Sequence, residues 1–375
     1  MKLVQRRWSE SAGWTEGSAL ADAQLVLIFG GTKQVVEARW IDEVRSAYPK
    51  AHLFGCTTAG EIAGTRVYDD SLVTTAVQFA HTRIELAQVR MADCADSVDA
   101  GTRLAAALPK ENLRHLFVIS DGQKVNGSDL VRGLLAALPP GVQITGGLAG
   151  DGARFETTYI ITNETPIAGS VGAIGFYGDN IQVGFGSLGG WDPFGPQRII
   201  TRSSGNVLHE LDGKPALDLY KSYLGEHAAG LPATGLLFPL SIRRKGDQET
   251  LVRTILAVDE AAKSLTFAGD MPEGATAQLM KANFDRLVEG ASGAAKGAFD
   301  GVRGSKPDLA ILISCVGRKL VLKQRIEEEV EAVQEVLGDG VMTGFYSYGE
   351  ICPTAPDASC QLHNQTMTIT AISER

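Results

Sequence analysis

Three carboxylates follow glycine-rich turns at comparable places along the chain. Glu61, Asp151 and Glu350 each come after a short apolar run and a turn bracketed by glycines. Because glycine permits sharp turns and close backbone approach, each turn can direct a carboxylate away from the end of a strand. The carboxylates could bind amine or hydroxyl groups of a ligand at the floor of a pocket. Alternatively, they accept hydrogen bonds from the neighbouring backbone, as carboxylates beside turns often do.

Cys56 lies inside the first of these turns, directly after Gly55. A nucleophilic or redox-active thiol needs a nearby base or cation that lowers its pKa, and the neighbouring sequence contains no histidine. The equivalent positions of the other two turns hold Gly147 and Phe345, so a thiol is not part of the repeat. Cys56 is therefore either a thiol activated by a distant group, which would favour hydrolase chemistry, or a small residue packed in a tight turn.

Two histidines are candidates for a cofactor site. His363 enters the last strand, where it could be an axial haem ligand or form a hydrogen bond with a ligand. His209 is the second choice. No pair of histidines has the spacing of a zinc or iron site, so haem is the metal-containing cofactor that the sequence leaves open. The alternative is that both histidines are packed residues with structural roles.

Aromatic and hydroxyl side chains close to the turns suggest a cleft with apolar walls and few polar groups. Core packing between the domains is the alternative for the aromatic residues. No catalytic residue is predicted, because the sequence contains no triad, metal motif or phosphate-binding loop. The residues predicted to bind a ligand are Cys56, Thr57, Glu61, Asp151, Trp191, Tyr346, Ser347, Tyr348, Glu350 and His363.

A literal GxGxxG pattern occurs at residues 184–189. A dinucleotide-binding loop needs a strand before this pattern and a helix after it. Here Pro193 and Pro196 follow closely, and they are incompatible with the start of a helix at that point. The pattern is therefore not interpreted as a nucleotide site.

The turns belong to a larger repeat of strand, helix, short strand, glycine turn and further strand. Asn126 is the predicted N-cap of the second repeat's helix. The repeats comprise residues 25–29, 34–48 and 52–54, then residues 116–120, 127–138 and 142–145, and finally residues 309–314, 322–337 and 341–343.

Hairpins are predicted between the repeats, because apolar runs lie on both sides of short turns. The predicted pairs are residues 72–79 with 83–90, 170–177 with 180–188, and 251–258 with 264–267. Hairpins mixed with helices indicate an α/β (α+β) fold of mixed, largely antiparallel sheets covered by helices. The expected organisation is two pseudo-repeated domains with these internal repeats, after an N-terminal segment, residues 1–21, of which residues 1–18 are expected to be loose.

Composition narrows the class of protein. The 375 residues suggest two or three domains, and the net charge of −9 without a basic stripe disfavours nucleic acid and anionic membranes as partners. No apolar run is long enough for a membrane span, and the start shows no secretory signal. Five widely spaced cysteines favour a reducing compartment, so a cytoplasmic location is expected.

Several segments together resemble the FIST (F-box and intracellular signal transduction) family. The resemblance covers residues 22–372 and implies a FIST N-terminal domain at 22–207 and a FIST C-terminal domain at 208–375. The segments that carry it are residues 54–62, 189–196, 211–220, 344–351 and 362–366.

The resemblance implies a sensory signal-transduction module that binds a small, amino-acid-like ligand and is not an enzyme. It also implies a partner protein for the output, a histidine kinase or a cyclic-dinucleotide enzyme. Two alternatives remain open at this point: a haem-dependent nitric-oxide sensor of the same family, and a hydrolase that uses Cys56 or the turn carboxylates.

Overall fold

The computed structural model describes residues 1–247, 250–303, 306–355 and 357–375. Its α-helices are α1 (Thr32–Val36), α2 (Ala38–Ala47), α3 (Ser97–Ala106), α4 (Gly127–Ala137), α5 (Ala216–Leu224), α6 (Phe284–Gly301), α7 (Val316–Leu322) and α8 (Ile326–Leu337). Among the helices in these residues, none has both the length and the apolar character needed to span a lipid bilayer.

The strands of the first half are β1 (Lys2–Ser9), β2 (Gly13–Trp14), β3 (Leu25–Gly30), β4 (His52–Thr57), β5 (Glu61–Ala63), β6 (Arg66–Tyr68), β7 (Leu72–Gln78), β8 (Arg83–Arg90), β9 (Leu113–Ser120), β10 (Gln143–Leu148), β11 (Ile160–Thr162), β12 (Ser170–Tyr177) and β13 (Ile181–Leu188).

The strands of the second half are β14 (Asp192–Ser204), β15 (Val207–Leu211), β16 (Lys214–Pro215), β17 (Leu240–Arg243), β18 (Leu251–Arg253), β19 (Ile255–Asp259), β20 (Ser264–Phe267), β21 (Thr276–Lys281), β22 (Leu309–Cys315), β23 (Val341–Ser347), β24 (Gly349–Pro353), β25 (Cys360–His363) and β26 (Met367–Glu374).

The three predicted repeats each form the centre of a mixed sheet. Their strands are β3, β4 and β7 in the first repeat, β9, β10 and β12 in the second, and β22, β23 and β26 in the third. In each repeat the first two strands are parallel and joined through a helix, and the third strand closes the repeat antiparallel to the first. The predicted α+β class with mixed sheets and internal repeats is thereby confirmed. Asn126 caps α4, as predicted.

The repeats exchange strands in a cycle. The strand after each glycine turn joins another repeat's sheet: β5 pairs with β23, β24 with β10, and β11 with β4. The strand on the outer side of each closing strand is also not one of the repeat's own three strands. Here β8 pairs with β12, β13 pairs with β26, and β1 pairs with β7. The Met1 nitrogen lies 3.9 Å from the Glu374 carboxylate, so the start of β1 lies close to the end of β26, which belongs to another sheet. We call this arrangement, residues 1–191 and 284–375, the threefold body.

Two of the predicted hairpins were wrong because of this exchange. The predicted pairing of residues 72–79 with 83–90 is absent, because β7 is already flanked by β3 and β1. The predicted pairing of residues 170–177 with 180–188 is absent for the same reason, since β12 lies between β9 and β8. A short turn favours local pairing, but here it carries the chain from one sheet to the next. The third hairpin is confirmed for residues 255–258, since β19 pairs with β20, whereas residues 251–253 form β18 and pair with β17.

The N-terminal segment is not loose, contrary to expectation. Strand β1 pairs with β7 over seven residues, from Lys2 opposite Gln78 to Trp8 opposite Leu72. The Trp8 ring lies 4.0 Å from the Trp40 ring, centroid to centroid. The sequence did not predict this strand because charged residues interrupt its apolar pattern. Such residues are compatible with a strand near the edge of a sheet, where one face is left to solvent.

Glycine is required where the two parallel strands of each repeat run side by side. A Cβ atom on Gly55, Gly146 or Gly344 would lie 1.7 or 1.8 Å from a carbonyl oxygen of the adjacent strand. These are the first glycines of the three turns. The glycines of the GxGxxG pattern serve packing instead: a Cβ on Gly184 would lie 1.9 Å from a carbonyl of α6, and β14 rather than a helix follows.

A second unit, which we call the small body, comprises residues 192–281. Strands β14–β21 form its sheet, with order β18-β17-β21-β14-β15-β20-β19 and with β16 attached to β15. Helix α5 packs against this sheet, and apolar side chains such as Leu217, Leu265 and Phe267 form a separate core. The chain thus leaves the threefold body after β13, builds the small body, and returns through α6.

We predict that Gly344→Ala severely destabilises the protein, because the new Cβ would lie 1.8 Å from the carbonyl oxygen of Leu312. The expected loss is about 3 kcal/mol or more in the free energy of unfolding, measured by urea denaturation. The control is Gly297→Ala in α6, whose Cβ would have no neighbour closer than 3.4 Å. That variant should be neutral or more stable by about 0.5–1 kcal/mol. Equal stability of Gly344→Ala and wild type would contradict the assigned strand register.

Candidate functional site

The three glycine turns meet and are joined by a closed set of backbone hydrogen bonds, which we call the turn ring. The N–H of Ala59 donates to the carbonyl of Tyr346 at 2.8 Å, and the N–H of Tyr348 donates to Leu148 at 3.2 Å. The N–H of Gly150 donates to the carbonyl of Thr57 at 3.0 Å and completes the cycle. The ring lies at the carboxyl ends of the parallel strands, the edge at which α/β sheets usually bind ligands.

Glu61 occupies one of two equivalent buried positions beside the turn ring. Its carboxylate accepts hydrogen bonds from the Thr58 hydroxyl at 2.5 Å, the Ser71 hydroxyl at 2.7 Å and the Ser71 N–H at 3.1 Å. The carboxylate thereby ties the turn to the start of the closing strand.

Glu350 makes the same set of contacts in the third repeat. It accepts from the Ser347 hydroxyl at 2.6 Å, the Thr366 hydroxyl at 2.9 Å and the Thr366 N–H at 3.2 Å. Burial raises the pKa of Glu61 to about 7 and that of Glu350 to about 8, outweighing hydrogen bonds that favour ionisation. Neither carboxyl group faces the cleft described below, so the geometry matches the structural alternative for both.

Asp151 is not the third member of this set. Glu61 lies opposite Phe345 in the strand register, Glu350 lies opposite Gly147, and the corresponding position of the second repeat is Ile160. Residues 149–159 form a longer connection between β10 and β11, and Asp151 lies at its beginning. Asp151 therefore matches the two glutamates in its spacing along the sequence only, because the second repeat contains an insertion at residues 149–159.

Asp151 organises this connection from within. Its carboxylate accepts the N–H groups of Phe155 at 2.9 Å, Glu156 at 2.9 Å and Thr157 at 3.0 Å, together with the Tyr348 hydroxyl. Burial raises the pKa of Asp151, but these hydrogen bonds outweigh it and hold the pKa below its ordinary value. Asp151 is consequently an ionised acceptor that fixes the position of Tyr348.

A cleft of about 900 Å³ separates the threefold body from the small body. Phe155 and Tyr348 stack at its floor, with ring centroids 4.4 Å apart and an angle of 16° between the rings. The threefold body contributes Gly122, Gln123, Lys124, Val125, Asn126, Leu148, Ala153, Phe155, Leu320 and Tyr348. The small body contributes Asn206, Gly230, Leu231, Pro232, Ala233, Leu236, Ile255, Leu256, Phe267, Ala268 and Gly269.

Of the residues predicted to bind a ligand, Tyr348 lines the cleft and Asp151 lies directly behind it. The others lie outside the cleft lining and are occupied by internal contacts. The Thr57 hydroxyl accepts the Tyr159 N–H, Tyr346 donates to Glu329, and Trp191 donates to the carbonyl of Gln365. The predicted set thus describes the framework around the turn ring more than the walls of a pocket.

Cys56 is completely buried in β4. Burial, reinforced by the nearby Glu61 carboxyl group, raises the pKa of the thiol well above its ordinary value. A buried neutral thiol is a poor nucleophile, so the hydrolase interpretation of Cys56 has no support in the geometry.

Haem does not fit the two candidate histidines, His363 and His209. His363 is 4% exposed, and its Nε2 lies 2.9 Å from the carbonyl oxygen of Cys352, to which it donates. Burial lowers the pKa of His363 to about 4, so the imidazole is neutral. Neither His363 nor His209 lies on the cleft lining, and an axial ligand needs a ring nitrogen that faces the haem cavity.

Sequence reasoning missed most of the cleft lining. Lys124 and Phe155 lie in the connections after β9 and β10, at the same end of the sheet as the turn ring. Strand β3, the first strand of the first repeat, ends at this same edge at Gly30, and residues 122–126 follow the equivalent strand β9, so the repeat itself pointed to them. The walls supplied by the small body carry no comparable signal, because their position depends on how the two bodies pack.

Two families of known domains match the sequence of this chain. The FIST N domain family matches residues 24–214, and the FIST C domain family matches residues 216–353. The chain therefore belongs to the FIST family, whose domains are associated with sensory signal transduction, and it has a FIST N domain followed by a FIST C domain.

The relatives add no functional detail. The chain is 24% identical over 230 residues to an uncharacterized protein of Mycobacterium bovis, and 23% identical over 229 residues to one of Mycobacterium tuberculosis. Each match covers 58% of this chain and 57% of the relative, so the alignment spans little more than half of either protein. The crystal structure of cyanuric acid hydrolase from A. caulinodans matches with a TM-score of 0.36 and 7% identity, over 100% of this chain and 99% of that one.

We predict that Glu350→Gln changes the pH dependence of stability. In the unfolded chain the carboxyl group ionises near pH 4.5, whereas in the folded protein it stays protonated up to about pH 8. The folded state therefore holds an extra proton between these values, and the contribution of Glu350 to stability falls as the pH rises. Relative to Glu350→Gln, wild type should lose about 1–3 kcal/mol between about pH 5.5 and pH 8.5.

Urea denaturation at both pH values measures this difference. The exposed substitution Glu335→Gln is the control and should leave it unchanged. If wild type instead gains stability over Glu350→Gln at the higher pH, the carboxylate is ionised in the fold and its hydrogen bonds outweigh its burial.

Proposed function

We propose that this FIST protein is a sensory module that binds a small ligand in the cleft between its two bodies and reports occupancy to a partner protein. The observation that carries the proposal is the composition of the cleft walls. One wall belongs to the threefold body and the other to the small body, so a ligand that contacts both favours one relative placement of the bodies.

The cleft has the chemistry of a binding site. Stacked aromatic rings and apolar side chains form most of its surface, and Gln123, Lys124 and Asn206 supply a small number of polar groups. This pattern of apolar walls with few polar groups is typical of pockets that bind small molecules. Tyr348 is held on both sides, by its backbone in the turn ring and by its hydroxyl on Asp151.

The output passes through a partner in this proposal. The family's association with signal transduction supports a partner of the histidine kinase or cyclic-dinucleotide class, and amino-acid-like compounds are tested together with small organic acids as ligands. Ligand occupancy would shift the population of the two bodies' arrangements, and the partner would bind one arrangement more tightly.

We predict that a ligand found in a thermal-shift screen of amino acids and small organic acids loses its effect in Ala153→Trp. Ala153 is an exposed residue on the cleft lining, so an indole at this position occupies the space without disturbing the core. Isothermal titration should show at least a tenfold weaker binding constant, about 1.4 kcal/mol.

The matched control is Ala106→Trp, which changes an exposed alanine on α3 outside the cleft. It should bind the ligand as wild type does. A ligand whose affinity is unchanged in Ala153→Trp, and also in Ala233→Trp on the opposite wall, would bind elsewhere and would overturn the cleft as the sensory site.

A further inference from the structure

The charges around the cleft are unusual for a protein with a net charge of −9. Among the described residues that line the cleft, Lys124 is the only charged side chain. Lys124 is exposed, forms no ion pair with a described residue, and extends beside Gly169, so its ammonium group can reach a ligand at this end of the cleft. A surface with one free cation and no anion discriminates by the sign of ligand charge.

A second positive charge lies behind the wall formed by the small body. The Arg253 side chain is buried, and a Cβ atom on the cleft residue Gly269 would lie 2.8 Å from its Nε. Its guanidinium donates to the carbonyls of Asp270 at 3.3 Å, Val252 at 3.3 Å and Leu362 at 3.0 Å, and no carboxylate of the described residues lies within 4.0 Å. Burial lowers the pKa of Arg253 to about 10, so the charge persists at neutral pH.

The acidic groups nearest the cleft are engaged by other groups of the protein. The Asp121 carboxylate accepts the N–H groups of Gln123 at 2.7 Å, Lys124 at 2.8 Å and Gly169 at 2.6 Å. The Asp270 carboxylate lies 3.5 Å from the Asn126 amide nitrogen and 3.8 Å from Arg132. Asp129 forms an ion pair with Arg132, and Asp151 is enclosed by its own hydrogen bonds. The cleft therefore offers one cationic group, that of Lys124, to a ligand, with the buried charge of Arg253 behind its wall, while an ammonium group of the ligand would find no carboxylate on the lining.

The cleft is also large and apolar. A cleft of about 900 Å³ lies within the size range of sites that bind small organic molecules, and it has room for a ligand with a broad ring system. Phe155, Tyr348 and Phe267 provide aromatic surface, and Leu231, Leu236 and Ile255 provide aliphatic surface around it. A ligand that removes this surface from water needs a broad apolar portion.

We propose that the cleft selects an amphipathic organic anion, with an aromatic or other broad apolar portion against Phe155 and Tyr348 and an anionic group beside Lys124. This inference rests on the proposed function of the cleft and specifies its ligand class. It disfavours zwitterionic amino acids, whose ammonium group would be desolvated without an acidic partner.

The test uses four probes that share a naphthalene ring and differ in charge: 2-naphthoate, 2-naphthamide, 2-naphthylmethylammonium and 3-(2-naphthyl)alanine. Binding to the full chain is followed by naphthalene fluorescence and titration calorimetry. We expect 2-naphthoate to bind about tenfold or more tightly than each of the other three, because only it pairs with Lys124 without adding an unpaired charge.

Lys124→Met should remove this preference, so that 2-naphthoate and 2-naphthamide bind within about threefold of each other. Lys296→Met, at an exposed lysine on α6, is the matched control and should retain the preference. Ala153→Trp should weaken all the probes, which places them in the cleft.

Three results would overturn the inference. Tighter binding of naphthylalanine would show a zwitterion site, equal binding of all four would show that charge is not selected, and a preference retained in Lys124→Met would place the anion elsewhere. If none of the four binds but a different ligand is lost in Ala153→Trp, the ligand class fails and the sensory cleft stands. If every ligand is unaffected by the cleft substitutions, the proposed function fails as well.

Discussion

Three backbone hydrogen bonds in the turn ring are the constraint on which the rest of the fold depends. Each N–H of one repeat donates to a carbonyl of another, from Ala59 to Tyr346, from Tyr348 to Leu148, and from Gly150 to Thr57. The strands that follow the turns are exchanged in the same order. Because no repeat completes its sheet from its own strands, the three repeats are stable only together.

The same ring explains why two of its three N–H donors, Ala59 and Gly150, are small residues. A Cβ atom on Gly150 would lie 2.8 Å from the nitrogen of Ala59, which leaves no room for a side chain at that crossing. Tyr348 occupies the corresponding place in the third repeat, where the ring opens towards the small body. A symmetric structural position has thereby become the floor of a cleft in one repeat.

The asymmetry arises from the connection 149–159 of the second repeat. It places Asp151 under the Tyr348 hydroxyl and Phe155 against the Tyr348 ring. The ring fixes the tyrosine backbone and the connection fixes its side chain, so this wall is preorganised. The opposite wall belongs to the small body, and in the proposed function a ligand would favour one placement of that body relative to the threefold body.

The sequence was sufficient to predict the repeats, because strand, helix and glycine turn recur with local signals at each step. The first glycines were correctly aligned, and Gly55, Gly146 and Gly344 do share one structural role. The predicted equivalence of Asp151 with the two glutamates was wrong, because equal spacing along the sequence does not distinguish a structurally equivalent position from an inserted residue. The exchanged strands were missed for a related reason, since pairing between distant strands leaves no signature in either strand alone.

The cleft lining was predicted least well. Tyr348 was among the candidate residues, but Lys124 and Phe155 were not, because each lies in an irregular connection. The buried positions of Glu61, Glu350 and Cys56 depend on packing between repeats, so chemistry that is plausible in the sequence is enclosed in the fold. Local pattern specifies the repeats, whereas the site depends on how the repeats and the small body are assembled.

Amide hydrogen exchange at the ring positions tests the central claim most directly. If the turn ring joins the three repeats into one cooperative unit, the amides of Ala59, Gly150 and Tyr348 exchange only by global unfolding. Their free energies of exchange, measured by NMR as a function of denaturant, should then agree with one another and with the global free energy of unfolding. Exchange of one of these amides through a much smaller opening, while the other two stay protected, would contradict the account.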